Sequence, residues 1–168
     1  MKYFDQQILF KTMKSRFALF FLVLVFFTSC RHKNTVVESA YPDGSPRRIC
    51  VYLGQGDNKE LSKETFYYKN KILQEDGEYK HGERDGKWIY YYPSGKVWSE
   101  GYFRNGKSDG KRLTYFPNGK LRYEAHYKEG QWVGIWKFYD ETGRLIKSVD
   151  YSKTPVTKVP DQPAAKGK

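Results

Sequence analysis

Five side chains could ligate a metal or attack as nucleophiles: Cys30, Cys50, His32, His81 and His126. A metal site needs two or more such groups a few residues apart, or a recognisable pair of pairs. None of the three histidines stands at ligand spacing from a cysteine or an acid, so no metal site and no cofactor are predicted. The acids Asp76, Glu100 and Glu124 are better placed for chemistry at first sight, but each lies 24 residues from the next. An acid–base pair is a local arrangement, and a carboxylate that returns at a fixed period is a surface element that pairs with Lys or Arg on a neighbouring strand. No phosphate-cradling glycine loop and no nucleophilic serine motif appears. The expectation is a chain with no catalytic residues.

The cysteines call for separate explanations. Residues 14–30 read KSRFALFFLVLVFFTSC. Lys14 and Arg16 make a basic start, and the apolar run Phe17 to Phe27 is half the roughly 20 residues a membrane-spanning helix needs. It has the length of a signal-peptide core. Thr28 and Ser29 then precede Cys30, and the polar RHKN follows. The arrangement resembles a bacterial lipoprotein signal, which implies lipidation (palmitate among the acyl groups) at Cys30 and a mature chain that begins there. An ordinary signal peptide or an uncleaved anchor is the other reading, with Cys30 incidental. The signal peptide covers 1–29, with translation starting at Met1 or at Met13, and residues 30–40 read as a tether. Cys50 would then lack an internal partner. In Ile49-Cys50-Val51 it fits a packed strand thiol.

The elements that must position everything else are set by repetition. DGKWIYYYPSGK (85–96) returns as DGKRLTYFPNGK (109–120) and, more loosely, as VGIWKFYDETGR (133–144). Gly86, Gly110 and Gly134 keep one phase, Gly95, Gly119 and Gly143 a second, and Tyr67, Tyr91, Tyr115 and Tyr139 a third. An out-of-step forerunner, Tyr41-Pro42-Asp43-Gly44, extends the repeat region to 41–151. Pro93-Ser94-Gly95 and Pro117-Asn118-Gly119 suit a type I turn followed by a left-handed glycine, with Asn70 expected to fill that role in Lys69-Asn70-Lys71. Asn105-Gly106-Lys107-Ser108-Asp109-Gly110 holds the other turn. Two turns leave two strands of about seven residues per unit. The fold class is therefore all-β: an elongated antiparallel sheet of stacked hairpins, each too small to bury its own apolar face.

Closing the hairpin at Tyr92 and Lys96 sets Tyr91 opposite Val97, Tyr90 opposite Trp98 and Trp88 opposite Glu100. One face then carries Ile89, Tyr91 and Val97; the other carries Trp88, Tyr90, Tyr92 and Trp98, and in the third unit Trp136, Phe138 and Ile146. Trp88, Tyr90, Trp98, Trp136 and Phe138 become the candidate binding face, since Trp and Tyr anchor interfaces. They could equally cover glycines and stiffen the sheet. A formal charge of +11 favours anionic partners or simply solubility. Residues 152–168, with Pro155, Pro160, Pro163 and a closing Lys-Gly-Lys, read as a disordered basic tail.

Gly86-Lys87-Trp88-Ile89-Tyr90-Tyr91-Tyr92-Pro93-Ser94-Gly95-Lys96 resembles the bacterial variant of the MORN (membrane occupation and recognition nexus) repeat. The resemblance is to antitoxin-like lipoproteins of the YwqK family, and it spans 67–151 well and 41–66 weakly. It implies a lipid-anchored protein of the bacterial cell envelope, at the outer membrane on its periplasmic side, whose sheet is a protein-interaction or scaffold module. It also implies two alternatives: an antitoxin that neutralises a toxin protein, and a sheet that associates with the membrane surface directly. The partner expected is an unknown protein, with the membrane reached through the N-terminal lipid. Nucleic acid is not expected, because an exported chain rarely meets it. Exposed sheet edges leave self-association open.

Overall fold

A computed structural model describes residues 32–153; the signal peptide with Cys30 and most of the basic tail lie outside the described residues. The chain runs through β1 (Lys33–Ala40), β2 (Pro46–Leu53), a 3-10 turn (Gly56–Asn58), β3 (Glu60–Tyr67), β4 (Leu73–Lys80), β5 (Glu83–Tyr91), β6 (Val97–Arg104), β7 (Lys107–Ser108), β8 (Gly110–Tyr115), β9 (Leu121–Lys128), β10 (Gln131–Tyr139) and β11 (Leu145–Asp150). They form one antiparallel sheet in chain order, with the two-residue β7 beside β6 just before β8. Consecutive strands pair because every link is a turn too short to cross over.

Lys33–Ala40 is a strand rather than a tether. Thr35, Val36 and Val37 are β-branched, and Val36 lies opposite Cys50. The strand has no counterpart of the repeated phrase, which is why repetition alone passes over it. Residues 53–65 complete a hairpin, and the 3-10 turn absorbs the residues that put the first unit out of step with the rest.

The two turn types are physically different. At 92–96, Tyr92 N–H donates to Lys96 O and Gly95 N–H to Tyr92 O, both at 2.8 Å, with Gly95 at φ 85°. Residues 116–120 and 140–144 repeat this geometry. At 68–72 the left-handed residue is Lys71, φ 65°, and not Asn70; the Asn70 side chain instead accepts the Ile72 N–H. At the opposite ends of the strands, His81-Gly82, Asn105-Gly106 and Glu129-Gly130 all have positive φ, the pattern of two-residue type I′ hairpins.

The register past each glycine turn differs from simple closure. Tyr91 does face Val97, but Tyr90 faces Ser99, Ile89 faces Glu100 and Trp88 faces Gly101. Trp98 is the extra residue of a bulge, which adds one residue on one strand only. A second irregularity sits at Gly86, φ 74°, between the pairs Gly77–Trp88 and Glu78–Asp85.

This register creates a row across the whole sheet: Val36, Cys50, Glu64, Gly77, Trp88, Gly101, Arg112, Ala125, Trp136 and Val149. From Cys50 to Ala125 large and small side chains alternate, so each large one lies down over a small neighbour. Gly77 is the sharpest case: a Cβ there would stand 2.1 Å from Trp88 Cδ2. Trp88 is fully buried in a sheet with no second layer among the described residues. Its cover comes from its own face: Tyr79 and Phe103 edge-on at 5.4 and 5.9 Å, and the Arg84 guanidinium 4.0 Å from the ring. Its Nε1 donates to Glu78 O. Trp136 repeats the arrangement, donating to His126 O under Tyr123, Tyr127, Trp132 and Tyr151. Burying a large apolar side chain contributes about 1.5–3 kcal/mol, and aromatic pairs add about 0.5–1.5 kcal/mol each.

Polar members of the row are satisfied laterally. Glu64 is buried, paired with Arg48, and accepts the Tyr79 hydroxyl at 2.9 Å. Arg112 is buried against the rings of Phe103 and Tyr127 and donates to Ser108 Oγ.

Candidate interaction face

Side chains next to the row along each strand point to the other face, and there the repeated acids find their partners. Lys63 pairs with Asp76 at 3.0 Å, Lys87 with Glu100 at 2.6 Å and Lys111 with Glu124 at 2.9 Å. They are cross-strand ion pairs, one per unit. Hydroxyls brace two of them: Thr65 donates to Asp76 and Tyr115 to Glu100. The lysine hydrogen bonds hold the Glu100 and Glu124 carboxyls below the usual glutamate range. Burial and the hydrogen bond to Glu100 push Tyr115 up to about 12.

Beside this ladder, towards the glycine turns, runs an apolar stripe of facing pairs: Tyr67 and Leu73, Tyr91 and Val97, Tyr115 and Leu121, Tyr139 and Leu145. Most of these side chains are half-buried, and Leu145 is exposed. A shallow hollow of about 340 Å³ opens between neighbouring units, lined by Lys96, Val97, Glu100, Tyr115 and Gly119. It offers an apolar floor, one carboxylate and one ammonium, a combination suited to binding and lacking any paired acid and base.

The turns are tied across units, so the stripe is held in one geometry. Tyr68 donates its hydroxyl to Tyr91 O at 2.7 Å, and Tyr92 donates to Tyr115 O at 2.8 Å. Asn70 reaches Pro93 O, and Asn118 reaches Glu141 O. Each such bond contributes about 0.5–1.5 kcal/mol.

The candidate binding face read from the sequence divides in two. Trp88 and Trp136 are not available to a partner, because the large–small row lays them flat and covers them. Tyr90, Trp98 and Phe138 keep partial exposure. Tyr90 is held by Arg84, which donates to its hydroxyl, and burial pushes that hydroxyl up to about 12. Trp98 lies edge-on to Tyr90, and Phe138 leans on Tyr123 and Trp136. Covering of glycine is thus the role Trp88 takes up at Gly77. Gly86, Gly110 and Gly134 sit at positive φ within or at the start of strands, and Gly95, Gly119 and Gly143 close turns. Cys30 lies outside the described residues, whereas Cys50 is a free, buried thiol whose ionisation burial opposes. Among the described residues no three His, Cys, Asp or Glu side chains are grouped to hold a metal ion. The pairing of Asp76, Glu100 and Glu124 with lysines on neighbouring strands is the one expected from their period, whereas the binding face was expected on the tryptophan side and not on the stripe beside this ladder.

Three tandem stretches, residues 84–105, 108–129 and 132–153, match the MORN repeat variant family. Repeats of this kind suggest a repeat-based interaction or membrane-association module. No curated protein matches the chain. Among solved structures, the chain is similar to a mutant of TarM from S. aureus, crystallised with Fondaparinux, alpha-GlcNAc-glycerol and UDP. The two are 13% identical with a TM-score of 0.31; the likeness covers 88% of this chain and 22% of that one, and carries no functional argument.

Proposed function

We propose that the protein is a non-catalytic interaction or scaffold module, lipid-anchored through Cys30 at the bacterial envelope on the periplasmic side of the outer membrane. The face it presents to a protein partner is the apolar stripe beside the ion-pair ladder. The observation that carries this reading is the stripe's regularity: four tyrosine–aliphatic pairs, one per unit, left half-exposed and braced by bonds between units. Internal packing consumes Trp88 and Trp136, whereas the stripe recurs in every unit and keeps partial exposure. The turns and the tyrosine latches keep it ordered before binding, which lowers the entropy a partner must overcome.

The anchor is tested by the mass of the N-terminal peptide from the native host. A peptide beginning at Cys30 and carrying acyl chains supports it. An unmodified chain beginning at Met1 or Met13 overturns it and directs the search to a cytoplasmic partner, including a toxin. The interaction face is tested by cross-linking in that host with wild-type protein and with Val97→Lys/Leu121→Lys. Loss of the cross-linked species in the variant, at unchanged abundance and stability, supports the stripe; identical cross-links refute it.

A chain beginning at Cys30 keeps 26 basic and 18 acidic residues, a formal charge of +8, and this favours a second reading, direct association with an anionic membrane surface. Vesicles rich in anionic lipid should then bind the protein in a salt-sensitive way, and absence of binding at low salt removes this reading.

A further inference from the structure

Among the described residues, both edges of the sheet are unpaired. β1 pairs only with β2, and β11 only with β10, among the described residues. Exposed apolar side chains gather there. Of the six large hydrophobic residues that are exposed among the described residues, Val36 and Val37 lie on β1, Leu145 and Ile146 on β11, and Ile135 on β10 next to it. Edge strands usually carry charge, proline or cover that blocks further pairing. These two carry exposed valine, leucine and isoleucine beside only two charges each, Lys33 and Glu38 on β1 and Lys147 and Asp150 on β11.

We infer that these edges are complementary, and that β11 of one copy pairs antiparallel with β1 of a second copy, continuing the sheet head to tail. Three features support this pairing: one fixes its orientation and two its register. The first is direction: the path holds ten strands, each antiparallel to the last, so β1 of a second copy meets β11 in the orientation that every internal junction has. The second is the row. It ends at Val149 on one side and Val36 on the other, and setting Val149 opposite Val36 of the second copy continues it on the same face.

The third is hydrogen-bond phase. Tyr151 donates its N–H to Gly134 on the β10 side, so by strand alternation the backbone groups of Ser148 and Asp150 point outward. Gly54 donates to His32 O, so β1 turns its even residues towards β2, and Thr35 and Val37 point outward. The register that aligns Val149 with Val36 places Ser148 opposite Val37 and Asp150 opposite Thr35. Outward groups therefore meet outward groups, as an antiparallel ladder requires. The same register brings Lys147 beside Glu38 of the second copy, the bulge residue that follows Val37, so opposite charges adjoin across the strands. A symmetric β11–β11 pairing centred on Val149 would instead set Lys147 opposite Tyr151, with no acid across from it. The head-to-tail contact is heterologous and open, so it propagates rather than stopping at a dimer.

The test uses the full chain in mild detergent, followed by sedimentation across loadings of roughly 5 to 500 μM, since a single strand pairing buries less than a standard interface. Ser148→Pro blocks the outward ladder of β11, and Thr35→Pro that of β1; neither removes an N–H used inside the sheet. Wild type is expected to gain mass continuously with concentration, and each variant alone to remain monomeric. A mixture of the two variants is expected to form a dimer, because Ser148→Pro retains an open β1 and Thr35→Pro an open β11. A monomeric wild type overturns the inference. So does association that survives either block, or a mixture that stays monomeric. Urea midpoints check folding, and if a proline variant is destabilised, Ile146→Lys and Val37→Lys replace it at the same edges.

Discussion

Gly77→Ala isolates the large–small row. An alanine Cβ at this position would lie 2.1, 2.3 and 2.7 Å from Trp88 Cδ2, Cε2 and Cε3, far inside contact distance. The indole is rigid and its other side is covered by Arg84, Tyr79 and Phe103, so it cannot move aside a little. It must leave, abandoning the bond to Glu78 O and its aromatic contacts. The cost therefore approaches that of deleting a buried aromatic side chain, about 3–5 kcal/mol. Gly101→Ala is the control at the equivalent position of the next unit. There the new Cβ meets Arg112 Nε at 3.1 Å, on a flexible side chain that can shift, and the loss of unfolded-state freedom returns about 0.4–1 kcal/mol. Its net effect stays within about 1 kcal/mol of zero. Urea unfolding followed by tryptophan fluorescence reads both; with a slope of about 1–3 kcal/mol per M, Gly77→Ala should lower the midpoint by one molar or more. In a Trp88→Ala background the penalty of Gly77→Ala should nearly vanish, a coupling of more than about 2 kcal/mol. Equal effects of the two glycine substitutions, or a Gly77→Ala penalty that persists without Trp88, would refute the reasoning.

Tyr68→Phe and Tyr92→Phe each remove one bond between units, with an expected loss of about 0.5–1.5 kcal/mol and near-additivity in the double variant, read as urea midpoints. The Glu100 carboxyl is depressed by Lys87, so its contribution is present above the ordinary glutamate pKa near 4.3 and is lost as pH falls through the depressed value. Lys87→Gln should make stability less steep with pH in that acid window, and an unchanged slope would exclude the ion pair as a source. Burial pushes the hydroxyls of Tyr90, Tyr115 and Tyr127 up to about 12, above the ordinary value near 10. Stability should therefore fall as pH rises from 10 towards 12, and absorbance titration should show tyrosines that ionise only in that interval. Cys50, buried and raised by burial, should resist alkylation at neutral pH in folded protein and react once urea unfolds it; peptide mapping distinguishes the site.

What the chain's order of residues determines by itself is the hairpin stack. Pro-Ser-Gly and Pro-Asn-Gly permit a tight turn whose last residue is left-handed, Asn105-Gly106 permits the other, and two such turns every 24 residues leave no length for a crossover. An antiparallel meander follows, and the period shared by Asp76, Glu100 and Glu124 already marks those acids as surface partners. Only the tertiary structure decides the register. The bulge that takes up Trp98 and the irregularity at Gly86 each involve extra residues on one strand, and composition does not show on which strand the ladder absorbs them. That slip turns Trp88 from a neighbour of Glu100 into the cover of Gly77, and so converts expected binding anchors into core. It also decides that β1, which carries no trace of the repeated phrase, joins the sheet: an edge strand is recruited by the unpaired donors and acceptors of β2, a demand written in β2's backbone rather than in the side chains of residues 33–40.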